Sequence, residues 1–327
     1  MCEECGCHEG AGHDHDHPHD HDHDHPHDHD HDHPHDHDHD HPHDHDHDHD
    51  LGDDEPESVV DGPLRIAVTG KGGVGKSTLS AALSARLTRE GDVVAVDADP
   101  DMNLAATIGC AEPPAITRKR ELIEDRAGGG GLVRLSPDVE DVLESHSTRF
   151  GDGDRGRLLT IGAPEGANTG CLCAENSVVQ SLVRSALDAD YAVLDMEAGI
   201  EHLGRGTARD VDAMIVVVGP SQSAIETAKG IRELATEMGV EEVYAVVNRV
   251  REGEGEAVRE ALSLPVLETV PYDEDVAAAA LSGTPPVDAS DRLTVAVERI
   301  LRGIDCRIDG ADDVTSRFVS APGSPVE

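Results

Sequence analysis

Between residues 64 and 262 two hydrophobic patterns take turns. Residues 64–69 form a short continuous apolar run that ends in a glycine-rich turn, and 77–89 follow with Leu79, Leu83 and Leu87 at helical spacing. The runs 93–96, 158–161, 191–194, Ala213–Val218 and 243–247 repeat the first pattern, and 177–187, 223–238 and 256–262 repeat the second. Strands that are apolar at consecutive positions are buried on both faces. Alternating with helices, they predict an α/β fold with a doubly wound, mostly parallel sheet.

The pattern is absent from both ends. From His13 to His49 every odd position is His, with Asp between except where Pro18, Pro26, Pro34 and Pro42 interrupt at a period of eight. Such a tract has nothing to bury, so residues 1–50 are expected to be a disordered, extended tail rich in Cys, His and Asp. Residues 51–63 read as a linker, 64–302 as the folded domain, and 303–327, acidic with Ser, Pro and Gly, as a disordered C-terminal tail. Of the 327 residues, only the central part has the composition of one α/β domain.

Charge narrows the partners. The net charge is −42, and even after residues 1–60 are set aside with their 22 acidic and no basic side chains, 46 acidic residues face 26 basic ones. Such a surface repels phosphate backbones, so nucleic acid and anionic membranes are disfavoured as partners. Four Lys against 22 Arg and few large aromatics suit a protein kept soluble in concentrated salt, and point to a halophilic host. No basic n-region or apolar h-region opens the chain, and the apolar run around 214–218 is too short to span a membrane. A soluble, cytoplasmic protein is expected. The seven Cys fall in two tight clusters with Cys110 and Cys306 apart, which suits metal thiolates in a reducing compartment better than a disulfide framework.

Gly70-Lys71-Gly72-Gly73-Val74-Gly75-Lys76-Ser77-Thr78 satisfies the P-loop pattern G-x-x-x-x-G-K-[ST] between an expected strand and an expected helix. Glycines let backbone N–H groups converge on phosphate oxygens, Lys76 reaches the β- and γ-phosphates of ATP, and Ser77 offers its hydroxyl to Mg²⁺. Asp97 and Asp99 follow the second apolar run and Asp195 ends the fourth. Carboxylates at strand ends beside a phosphate loop can hold Mg²⁺ waters or orient the attacking water, although Asp97 and Asp99 could also simply cap the next helical turn. Two of the four lysines, Lys71 and Lys76, lie within this one loop.

The segment from Lys71 to Thr78 resembles the deviant Walker A loop of the family that contains the chromosome-partitioning (ParA) and septum-site (MinD) ATPases, the nitrogenase iron protein and several metallocluster-assembly ATPases. The resemblance implies an ATP-dependent homodimer in which Lys71 crosses to the other subunit's nucleotide. It further implies that Asp99 positions or deprotonates the attacking water, that Asp195 is the Walker B carboxylate near Mg²⁺, and that Asn248 contacts adenine.

Cys171 and Cys173, in Gly170-Cys171-Leu172-Cys173-Ala174-Glu175-Asn176, precede an expected helix. One Cys-x-Cys cannot fill a tetrahedral site, but two copies across a two-fold axis supply four thiolates; a pair of small buried apolar residues has the same spacing. This segment, the P-loop and the stretch from Asp195 through His202 to Gly206 together resemble the nickel-insertion ATPases that mature carbon monoxide dehydrogenase, the CooC type, over roughly residues 64 to 301. The family's metal-binding Cys pair matches Cys171 and Cys173. His202 is either a residue of the family's switch II region or an exposed helix-start His. Cys2, Cys5, Cys7 and His8 place three thiols and an imidazole within seven residues, enough to chelate a soft or borderline ion, and His13, His15, His17, His19 and the following His supply weaker imidazole sites.

These readings combine into an ATPase that dimerises around ATP, holds a divalent metal between paired Cys171/Cys173 sites and releases it into an apo-metalloenzyme. Nickel is favoured by the resemblance; thiolate and imidazole chemistry alone does not separate Ni²⁺ from Zn²⁺ or Co²⁺. The alternatives are a MinD/ParA-type positioning or partitioning ATPase with a metal-buffering tail, and a metal buffer with a vestigial ATPase. An intact set of Lys71, Lys76, Asp99 and Asp195 weighs against the last.

Overall fold

The computed structural model describes residues 58–60, 62–128, 133–163, 172–198 and 210–308. Among these described residues eight strands form one sheet in the order β3-β4-β2-β5-β1-β6-β7-β8. They are β1 (Leu64–Gly70), β2 (Val93–Ala98), β3 (Thr148–Phe150), β4 (Gly156–Thr160), β5 (Tyr191–Met196), β6 (Ala213–Val218), β7 (Val243–Val250) and β8 (Val266–Pro271). Only the edge pair β3/β4 is antiparallel; every other pairing is parallel. The doubly wound α/β expectation therefore holds.

The helices are α1 (Lys76–Leu87), α2 (Leu104–Ile108), α3 (Arg120–Ala127), α4 (Glu140–Ser145), α5 (Leu172–Leu187), α6 (Gln222–Met238), α7 (Glu254–Ala261), α8 (Glu274–Ser282), α9 (Pro286–Ala289) and α10 (Asp291–Ile308). α6 shows how sequence sets such an element. Ala224, Ile225, Ala228, Ile231, Ala235 and Met238 make one buried stripe, Ser221 caps the start by accepting from the Ala224 N–H, and Gly239 ends it at φ 82. Strands β5 and β6, which flank β1, are buried at every position, as a sheet covered on both faces requires.

Two boundaries differ from the sequence reading. Helix α10 continues past Gly303 to Ile308, because Leu293, Ala296, Val297, Ile300, Leu301 and Ile304 recur at helical spacing and are all buried. At the other end, Val59 and Val60, read as linker, are buried in the main core, while the Ser58 hydroxyl and the Val59 N–H both donate to Glu90. Glu90 in turn pairs with Arg86 of α1, so the first described residues are tied to the helix that starts at the P-loop. Among the described residues no helix is long and apolar enough to cross a membrane.

Candidate active site

The site lies at the C-terminal ends of the central strands, where β1 sits between β5 and β6. Gly70 ends β1 at φ 142, and a Cβ there would stand 2.3 Å from the Val217 carbonyl oxygen of β6, so only glycine lets the chain leave the sheet in this direction. Gly73 and Gly75 also have positive φ, and Gly75 is the residue from which α1 starts. No acidic residue occupies the first turn of α1, so its N-terminal N–H groups and partial positive charge face the loop without competition. Three of the glycines that mark this loop in the sequence, Gly70, Gly73 and Gly75, are the ones with positive φ.

Lys76, 6% exposed, lies 3.2 Å through its Nζ from Oδ2 of Asp99, which is itself 8% exposed. The Asp99 Oδ1 accepts the Asp101 N–H at 3.1 Å. With Gly73, Ser77, Glu197 and Arg249 they line a cavity of about 420 Å³, in which both charged groups meet. Lys71 points elsewhere: its Nζ donates to Ser223 Oγ of α6 at 2.5 Å.

Asp97 and Asp195 face each other across β2 and β5 in lateral register, and neither is exposed. Asp97 does not open to the cavity; its Oδ1 accepts the Asp99 N–H at 3.2 Å and its Oδ2 accepts the Leu104 N–H at 2.9 Å. Burial, with the Asp195 and Asp99 carboxylates adding to it, pushes the Asp97 carboxyl up to about 7 despite those two N–H donors. Burial likewise raises Asp195 to about 6, opposed by the Ser77 and Ser80 hydroxyls and by Lys76. Ser80 Oγ donates to Asp195 Oδ1 at 3.0 Å, while Asp195 Oδ2 is buried with no hydrogen-bond partner. An orphaned, buried carboxylate oxygen close to a P-loop hydroxyl is the hard-oxygen environment that Mg²⁺ and its waters require, so the residues present fit that ion.

A carboxyl whose folded value lies above its unfolded one binds more protons in the folded state. Its contribution to stability is full below the ordinary value of 3.8 and is lost as pH rises towards about 6 for Asp195 and about 7 for Asp97. Asp195→Asn is therefore expected to melt above wild type near pH 7.5 without nucleotide, and to lose that advantage as pH falls to about 4. Thermal melts followed by circular dichroism across this window check it, and parallel pH profiles of the two proteins would rule it out.

Asn248 stands at a break in the pairing of β7 with β8. The register shifts between Asn248 and Val250, and Arg249 in between takes φ 59, the left-handed region that bulky residues seldom adopt. The bulge turns Asn248 towards the P-loop, where its Nδ2 donates to the Val74 carbonyl at 2.8 Å, and lays the Arg249 Nη1 on the Gly73 carbonyl at 2.7 Å. A second, mainly apolar cavity of about 280 Å³ opens beside them, bordered by Leu79, Asn248, Pro271, Val276 and Leu293 and sharing Arg249 with the first. Sequence reasoning missed Arg249, Ser80 and Ser223; nothing in the sequence marks a left-handed arginine, and the two serines look like ordinary helix residues.

Cys171, His202 and the rest of the switch stretch after residue 198 lie outside the described residues, as do Cys2, Cys5, Cys7, His8, His13, His15, His17 and His19. Cys173 falls in the first turn of α5. Among the described residues no group of three or more His, Cys, Asp or Glu is arranged to hold a metal ion, and Cys110 and Cys306 are not disulfide-bonded.

Comparison with known proteins finds relatives in sequence and in fold. The profile of the CobQ/CobB/MinD/ParA nucleotide binding domain matches residues 66–287. The carbon monoxide dehydrogenase accessory protein CooC of Rhodospirillum rubrum is 36% identical over 69% of this chain and 90% of its own length. An uncharacterized ATP-binding protein of Methanocaldococcus jannaschii is 33% identical over 74% of this chain and 97% of its own. In fold, the chain resembles a ParA family ATPase from Chlorobium tepidum (TM-score 0.56, 18% identity, 73% of this chain and 98% of that one). It also resembles the septum site-determining protein MinD of Pyrococcus horikoshii solved with Mg-ADP (TM-score 0.54, 21% identity, 76% and 98%).

Proposed function

Because this chain belongs to the CobQ/CobB/MinD/ParA nucleotide-binding family, as a CooC-like ATPase within its MinD/ParA branch, we propose that it spends ATP on delivering a metal ion to an apo-metalloenzyme. The observation that carries the reading is the similarity to the carbon monoxide dehydrogenase accessory protein, together with the Cys-x-Cys of Cys171 and Cys173 in the sequence. The ATP-driven homodimer brings two such pairs together, and four thiolates close a tetrahedral site for one divalent ion, nickel by preference. Cys2, Cys5, Cys7, His8 and the His tract of residues 13–49 collect the ion and raise its concentration near the dimer.

The hydrolytic step follows from the residues around the larger cavity. The triphosphate lies against the P-loop N–H groups with its purine in the apolar cavity beside Asn248. Ser77 and Asp195 would hold Mg²⁺, which would supply neutralisation of the phosphate charge. Lys76, now drawn to the γ-phosphate, leaves Asp99, and the freed carboxylate accepts a proton from the attacking water. The water oxygen bonds to the γ-phosphorus as the bond to the ADP oxygen breaks. Lys71 leaves Ser223 and places its charge on the other subunit's phosphates, so that turnover requires the dimer.

Nickel-loaded protein with Mg·ATP should activate an apo nickel enzyme such as carbon monoxide dehydrogenase in molar salt, and a non-hydrolysable ATP analogue should give about a tenth of that activation or less. Equal activation with both nucleotides would separate hydrolysis from delivery. No transfer, with ATPase activity stimulated instead by a surface or adaptor protein, would favour the positioning ATPase.

A further inference from the structure

We propose that Asp97 is a positioning residue for ATP hydrolysis, which holds the Asp99 carboxylate in place by accepting two backbone N–H groups of the loop that carries it. The inference rests on Asp99 as the residue that handles the attacking water. Asp97 lies in β2, with no exposure to solvent, and gives one oxygen to each donor: Oδ1 to the Asp99 N–H at 3.2 Å and Oδ2 to the Leu104 N–H at 2.9 Å. One side chain thus fixes both ends of the segment from Asp99 to the first residue of α2. Inside that segment Met102 is held at φ 50, with its N–H on the Asp99 carbonyl at 3.0 Å, and Asp101 donates back to the Asp99 side chain.

The choice of residue is informative. A cap for a helix as short as α2 needs one acceptor, which a neutral Ser or Asn provides. Asp97 instead buries a carboxyl beside that of Asp195, at a cost in desolvation and repulsion that a cap alone does not require. What only the carboxylate offers is two acceptor oxygens at fixed separation. They lock the loop against the end of β2, and the Asp99 carboxylate then meets Lys76 on the cavity wall in one geometry. Displacing a reacting group by about 1 Å can cost ~10²-fold in rate, so a side chain that never touches ATP can control turnover.

Asn is isosteric with Asp and neutral, leaves no cavity, and keeps only one acceptor oxygen. Asp97→Asn is expected to lower kcat about 10- to 100-fold while the ATP KM stays within about twofold, since P-loop contacts are untouched. Asp97→Ser, smaller and uncharged, is the second variant and should show the same split. The decisive readout is a double-mutant cycle: if Asp97 acts through Asp99, Asp97→Asn/Asp99→Asn turns over no more slowly than Asp99→Asn alone. Overturning results are a wild-type kcat in either folded Asp97 variant, a KM that rises with kcat unchanged, or losses that multiply in the double variant. A wild-type rate in Asp99→Asn itself would instead remove the water-handling reading on which the proposal stands.

Discussion

Lys71→Ala should still bind ATP, yet fail to form the nucleotide-dependent dimer and lose at least about 100-fold in hydrolysis, as when an arginine finger is withdrawn from a phosphoryl-transfer site. The Lys71 side chain points away from its own loop, with its Nζ on Ser223 of α6, and only its backbone carbonyl, which Ala retains, holds the loop through the Val74 N–H. Lys76, in contrast, is buried against Asp99 in its own cavity, so Lys76→Ala should lose hydrolysis together with tight ATP binding. Fluorescent-nucleotide titration and light scattering separate the two variants. Normal dimerisation and turnover in Lys71→Ala would remove the deviant Walker reading.

The second large effect is that of Asp99→Asn. The amide keeps the size of the side chain and its place beside Lys76, but no longer accepts the proton of the attacking water. Hydrolysis should fall by about 10²- to 10⁴-fold while Mg·ATP binding and dimerisation persist, so the ATP-bound dimer accumulates. Single-turnover kinetics with sedimentation of the trapped species would show it. A monomeric, slowly hydrolysing Asp99→Asn would place the carboxylate in assembly rather than chemistry.

The strands expected from apolar runs all form, and most extend further than the runs. β1 reaches Gly70, β2 Ala98, β5 Met196 and β7 Val250. The added residues include Asp97, Asp195 and Asn248, the polar side chains that end a hydrophobic run and begin a functional site. Polarity hid the strand ends for the same reason that it marked the chemistry. The edge strand β8 went unread because Glu268, Thr269 and Pro271 interrupt it and most of it is only half buried. Helix α10 was legible at its 293, 296/297, 300/301, 304 spacing but lay behind a charged, arginine-rich face. The P-loop was plain in the sequence, since few folds place glycines and lysines this way without a phosphate to hold. A cap on the next helical turn was among the readings open to Asp97, and its Oδ2 does accept the Leu104 N–H; the twist of Arg249 and the second N–H held by Asp97, that of Asp99, depend on backbone geometry that residue types do not encode.

Metal stoichiometry tests the account most directly. Val59 and Val60 belong to the core, so a tail-less protein must keep residues from Ser58 onward. Equilibrium dialysis against Ni²⁺ in molar salt should give this shortened protein one tightly held ion per dimer with Mg·ATP, because each subunit supplies two thiolates and a tetrahedral site needs four. The full chain should bind many more ions, more loosely, and these should be released as pH falls through the imidazole range near ~6.5. The same shortened protein carrying Cys171→Ser and Cys173→Ser should dimerise with ATP and hold no tight ion. One tight ion per dimer in that variant would contradict the central claim, because the ion would then be held without the paired cysteines.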